Sequence, residues 1–94
     1  YGSRKPTKGS IDAAEKFLLL IDSEQKNVTP CSGSGNIQVE VWTERKRLEA
    51  EFYEDSTMHY LKEYFEEKYV SREEKVIKNP SEQDMKALIK WVQE

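Results

Sequence analysis

The chain has 94 residues, of which 35% are Asp, Glu, Lys or Arg and 36% are hydrophobic, with a net charge of −3. That is enough for one domain and too little for two, and such a domain buries roughly 60–65% of its unfolded surface. Two Trp, five Tyr and three Phe argue against intrinsic disorder, and the acidic balance argues against a general nucleic-acid binder, which needs a basic face to neutralise phosphate.

Residues 1–9 are rich in Gly, Ser, Pro and basic side chains without periodicity and read as a flexible lead-in. A single domain is expected over residues 10–94. The chain opens on Tyr1 rather than Met, as a fragment of a longer protein or a processed product would. Ser10 can cap a helix from about Ile11 to Gln25, in which Ile11, Ala14, Phe17, Leu18 and Ile21 recur at three- and four-residue steps. The apolar run Phe17 to Ile21 is the longest in the chain and too short for a membrane span or a signal-peptide core.

The segment NVTPCSGSG concentrates turn formers and reads as a loop. Its Cys31 is the only cysteine, which excludes an intrachain disulfide and a cysteine-based zinc site and fits a reducing, cytoplasmic compartment. The run CSGSGN lacks the lysine and spacing of a phosphate-cradling loop.

Two period-two runs follow. Ile37, Val39 and Val41 alternate with Gln38, Glu40 and Trp42; beyond the turn at Glu44, Arg45 and Lys46, Leu48, Ala50 and Phe52 alternate with Glu49, Glu51 and Tyr53. The spacing predicts a hairpin with aliphatics on one face and carboxylates, Trp42 and Tyr53 on the other. The triplet Arg45, Lys46 and Arg47, flanked by Glu44 and Glu49, reads as a charge-balanced tip. A third strand is expected from Thr57 to about Phe65, then an irregular charged segment through Lys78 in which Val76 and Ile77 add at most a short strand.

Asn79 and Pro80 precede the clearest helix signal. Ser81 and Asp84 have capping-box spacing, and Met85, Leu88, Ile89 and Val92 form one stripe with Trp91 at its edge. The expected class is therefore α+β, in the order α-β-β-β-α, a small antiparallel meander with two helices packed on one face.

Catalytic constellations are sparse. Cys31 and His59 carry no spacing that implies proximity, and His59, Glu63 and Glu67 would share a face able to hold a divalent metal only if that stretch were helical. Neither cofactor nor catalytic residue is expected. A sheet with helices on one side leaves the other available, so the leading expectation is a non-enzymatic interaction module that presents Trp42 and Tyr53 as neighbouring aromatic anchors, rimmed by Glu40, Glu49 and Glu51, to another protein. Residues 40–67 hold nine acids against four bases, which favours a basic partner and admits an antitoxin- or inhibitor-like role. A sheet edge could also pair with a second copy.

The stretch from Pro30 to Tyr60 resembles a group of small prokaryotic proteins of unknown function. Their pattern is a proline, a glycine turn, a strand ending in Glu-Trp, a strand reading L-x-x-E-F, an Asp-Gly turn and a strand bearing tyrosine. Pro30, Gly35, Ile37, Glu40, Trp42, Leu48, Glu51, Phe52, Asp55 and Tyr60 carry the likeness. Val41 stands between Glu40 and Trp42, and Ser56 follows Asp55 where the pattern has glycine. The resemblance implies a β-meander and no active site.

Overall fold

The computed structural model describes residues 5–22, 24–31 and 33–94; the first four residues of the expected lead-in lie outside them. The first helix, α1 (Lys8–Leu18), begins earlier than its apolar spacing suggests because Thr7 caps it, its hydroxyl oxygen accepting from the Ser10 amide at 3.2 Å. Ser10 is a buried member of the first turn, its hydroxyl 2.9 Å and 3.0 Å from the carbonyls of Thr7 and Gly35. The helix stops at Leu18, short of the expected Gln25. The Leu20 and Ile21 amides donate to the carbonyls three residues back, a tightened turn that swings Ile21 into the core.

Five strands follow, β1 (Lys26–Cys31), β2 (Asn36–Trp42), β3 (Lys46–Phe52), β4 (Thr57–Phe65) and β5 (Val70–Lys78), and then α2 (Glu82–Gln93). The strands pair in chain order, each antiparallel to the next. The α+β class, the antiparallel meander and the helix at either end are as the sequence implies. The sheet is wider by two strands, one at each edge, where the expected readings were a loop and an irregular segment.

Both helices pack on the same sheet face, over β2 and β3. Ile37, Val39, Val41, Leu48, Ala50, Phe52, Met58 and Tyr60 meet Ala14 and Phe17 of α1 and Met85, Leu88, Ile89 and Val92 of α2 in one core. α2 carries the expected capping box, the Ser81 side chain accepting from the Asp84 amide while the Asp84 carboxylate accepts from the Ser81 amide. Trp91 packs partly buried against this core, with the Lys46 and Lys62 ammonium groups each 5.2 Å from its ring. No helix among the described residues is long and apolar enough to cross a membrane.

α1 lies close against the β3–β4 turn, and Gly9 makes this approach possible. A Cβ on Gly9 would stand 2.3 Å from the Glu54 carbonyl oxygen, whereas one on Gly33 would meet nothing within 4 Å. Gly9→Ala is expected to lose about 2 kcal/mol of unfolding free energy in a urea titration, and Gly33→Ala less than about 0.5 kcal/mol. Equal effects would mean that the helix start can shift away from the turn at no cost.

Candidate functional site

The period-two pattern that sends the aliphatics of β2 and β3 into the core sends Gln38, Glu40, Trp42, Arg47, Glu49 and Glu51 to the face that no helix covers. Strand register then sets the neighbours. Trp42, Arg47, Glu63 and Arg72 form one row across four strands; Glu40, Glu49, Leu61 and Glu74 form the next; Gln38, Glu51, His59 and Val76 the third.

Glu40 and Glu49 stand directly opposite each other, which is unfavourable for like charges. Arg47 resolves this. Its guanidinium donates to Glu40 at 2.8 Å, to Glu49, and to Glu63 at 2.7 Å, while Arg72 donates to the other oxygen of Glu63 at 2.9 Å. Glu63 is only 5% exposed. Burial alone would raise its pKa, but the hydrogen bonds from Arg47 and then Arg72 prevail and hold the carboxyl below its usual range. Hydrogen bonding to Glu40 pushes the Arg47 guanidinium well above its ordinary value, against the opposing effect of burial. Only Lys46 and Arg45 of the basic triplet remain near the tip; Arg47 is the hub of the face.

The two aromatic anchors point outward as expected and do not meet. Trp42 faces Arg47, and Tyr53 lies six residues farther along, one past Phe52, which faces Ile37; at about 3.4 Å per residue that separation is roughly 20 Å. Tyr53 sits half-buried at one end beside a shallow depression with Ser34, Asn36, Glu54 and Asp55. Burial first, then the charge of Glu51, pushes both the Tyr53 hydroxyl and the nearby Cys31 thiol upward.

Trp42 has different company. Phe65 and Val70 face each other in the row beyond Glu63 and Arg72, and Tyr69 sits in the adjoining turn. Phe65, Tyr69 and Val70 are exposed, and with half-buried Trp42 they give the outer face an apolar end. Residue parity could have found Arg47 and Phe65, since even-numbered residues of β3 and β4 face the core and odd-numbered ones face outward. Tyr69 and Val70 carry no such signal.

Of the acidic rim, Glu40 and Glu49 are engaged by Arg47, and Glu51 accepts from Asn36 Nδ2 at 2.7 Å. Glu49, Glu51 and Glu74 line a shallow depression of about 170 Å³ with Gln38, His59 and Leu61. His59 and Glu63 are four residues apart on one strand, roughly 13 Å, and Glu67 lies beyond it in the turn. His59 instead pairs with Glu74 at 2.5 Å, and among the described residues no group of three or more His, Cys, Asp or Glu is placed to hold a metal ion. No family model, no curated protein and no solved structure matches the chain.

Proposed function

We propose that the chain is a protein-interaction module that docks a basic protein on the outer face of its sheet. The observation that carries this reading is a face left uncovered by both helices that combines an apolar end, at Trp42, Phe65 and Val70, with an excess of carboxylates. The outward residues of β2 to β5 include Glu40, Glu49, Glu51, Glu63 and Glu74 against Arg47, Arg72 and Lys78, five acids minus three bases, a net of −2 over Asp, Glu, Lys and Arg. Aromatic anchors supply binding energy when covered, and a complementary charge field sets orientation and speeds encounter. An inhibitor-like role against a basic protein uses the same face and the same chemistry.

Affinity capture from a native lysate followed by titration of the captured protein tests this. Trp42→Ala is expected to weaken the complex by about 2 kcal/mol, roughly thirtyfold. Glu51→Arg should slow association and reduce its salt dependence, and both variants should melt within a few degrees of the parent. Loss of binding on Glu15→Arg, on the exposed side of α1, with both outer-face variants silent, would assign docking to the helices.

A further inference from the structure

The two edges of the sheet are not alike. Just before β1 the Gln25 carbonyl accepts from the Trp42 amide of β2 at 3.1 Å, so hydrogen-bonded pairs fall at every second residue, and Val28 and Pro30 aim their backbone at the open edge. Proline has no N–H to offer there. The β4–β5 ladder is closed at one end by the Asn79 amide on Ser56 and at the other by the Glu66 amide on Tyr69, both at 2.9 Å. Between them the register runs unbroken from Thr57 opposite Lys78 to Phe65 opposite Val70. Val70, Arg72, Glu74, Val76 and Lys78 therefore all turn N–H and C=O outward. This edge has no proline and no bulge, and eight of its nine residues are exposed.

We propose that β5 is a self-pairing edge, on which a second copy of this chain docks antiparallel to join the two sheets into one. Charge and overlap together select the occupant and the register: an axis at Val76 would also oppose unlike charges, Glu74 to the partner's Lys78, but would pair only residues 74–78, whereas an axis at Glu73 pairs residues 70–76. With the two-fold axis at Glu73, Arg72 faces the partner's Glu74 and Val70 faces the partner's Val76, each pair occurring twice on the outer face. Glu73 then faces the partner's Glu73, a like pair already compensated within each copy, since the Lys75 and Lys62 ammonium groups lie 3.3 Å and 3.4 Å from its two oxygens. An axis at Glu74 would oppose that residue to itself and strand Arg72 against valine; an axis at Lys75 would oppose it to itself and set Arg72 against Lys78. Because Arg72 is already bound to Glu63, and Glu74 to His59, the pairing runs the ionic network of one outer face into that of the next. Charged side chains normally guard an edge strand; here their mixed signs make the edge complementary to itself.

Strand pairing alone buries less than the roughly 1,600 Å² of a standard interface, so sedimentation equilibrium up to millimolar protein is expected to show a concentration-dependent dimer. Arg72→Glu, which opposes two carboxylates at both outer pairs, should raise the dissociation constant about tenfold or more, and Arg72→Glu with Glu74→Arg should restore it. If the charge variants lose their fold, register-specific cross-linking stands in for them. In a Cys31→Ser background, Glu73→Cys should form an intermolecular disulfide under mild oxidation, because a non-hydrogen-bonded antiparallel pair brings the Cα atoms to about 4.5 Å. Glu74→Cys and Lys75→Cys should cross-link far less. A chain monomeric at millimolar concentration, or one that cross-links at 74 or 75 in preference to 73, overturns the proposal. Trp42→Ala leaves the dimer intact, which separates this surface from docking on the outer face.

Discussion

Phe52→Ala is expected to cost about 4 kcal/mol and to lower the melting temperature by roughly 20 °C. Phe52 closes β3 opposite Ile37 and Met58, is 1% exposed, and sets its ring centroid 5.3 Å from that of Phe17 at an interplanar angle of 52°. That tilted contact is the main aromatic tie between α1 and the sheet. Its removal opens a void that α1 cannot close by sliding inward, because Gly9 already lies against the Glu54 carbonyl. Domains of this kind are stable by only about 5–15 kcal/mol, so a loss of about 4 kcal/mol removes between roughly a quarter and four fifths of the margin. Phe17→Ala should be similarly costly, and the double variant should fall short of the sum by about 1 kcal/mol, since both rings line one cavity. Urea unfolding followed by tryptophan fluorescence measures all four corners of the cycle. A loss below about 2 kcal/mol for Phe52→Ala would mean that the core repacks around the gap.

The parts of the fold legible in the sequence are those where one side of an element is wet and the other dry. From Ile37 to Val41 and from Arg47 to Phe52, β2 and β3 alternate aliphatic and polar residues, and α2 places Met85, Leu88, Ile89 and Val92 on one stripe behind a capping box; the apolar residues of all three meet in the core. β1 and β5 escape that logic. Each lies beyond the helices, so apart from Ile77, which packs partly buried against the core, both faces are wet and no alternation is required. Asn, Thr and Pro in β1 then look like a loop, and Arg, Glu and Lys in β5 like an irregular linker, although backbone pairing with a formed neighbour holds both extended. The outward direction of Trp42 and Tyr53 was legible for the same reason as the core. Their separation follows from the same sequence reading: with the turn at Glu44 to Lys46, Trp42 adjoins the turn and Tyr53 lies seven residues beyond it, so the two cannot be neighbours. The Thr43 amide, which donates to the Lys46 carbonyl at 2.8 Å, leaves Glu44 and Arg45 as the loop and sets Arg47 opposite Trp42. A turn placed a residue too late also hid the position of Arg47 within a strand.

Arg47→Ala should then cost about 2–3 kcal/mol at neutral pH, more than any other outer-face substitution, although the residue looks like a hairpin-tip cation in the sequence. The alanine leaves Glu40 and Glu49 opposed and Glu63, nearly fully buried, with Arg72 as its remaining hydrogen-bond donor. An unpaired partner in a buried ion pair costs about 3–5 kcal/mol, and the one-third exposure of the Arg47 side chain reduces that figure through solvent screening. Arg47→Lys should recover about half, because a single ammonium cannot reach three carboxylates as the guanidinium fork does. The pH dependence separates charge from packing. In the parent protein the Glu63 carboxyl is held below its usual range, so its contribution is complete above the unfolded glutamate pKa of about 4.3 and is lost as pH falls through the lower folded value. Without Arg47, only Arg72 opposes burial at Glu63, so the downward shift of that carboxyl and the stability linked to it shrink. The stability difference between parent and Arg47→Ala should therefore be widest near pH 7 and shrink steadily as the solution is acidified. A difference that stays constant with pH would assign the loss to the apolar stem of Arg47 packed along the sheet and would remove this residue as the hub of the face.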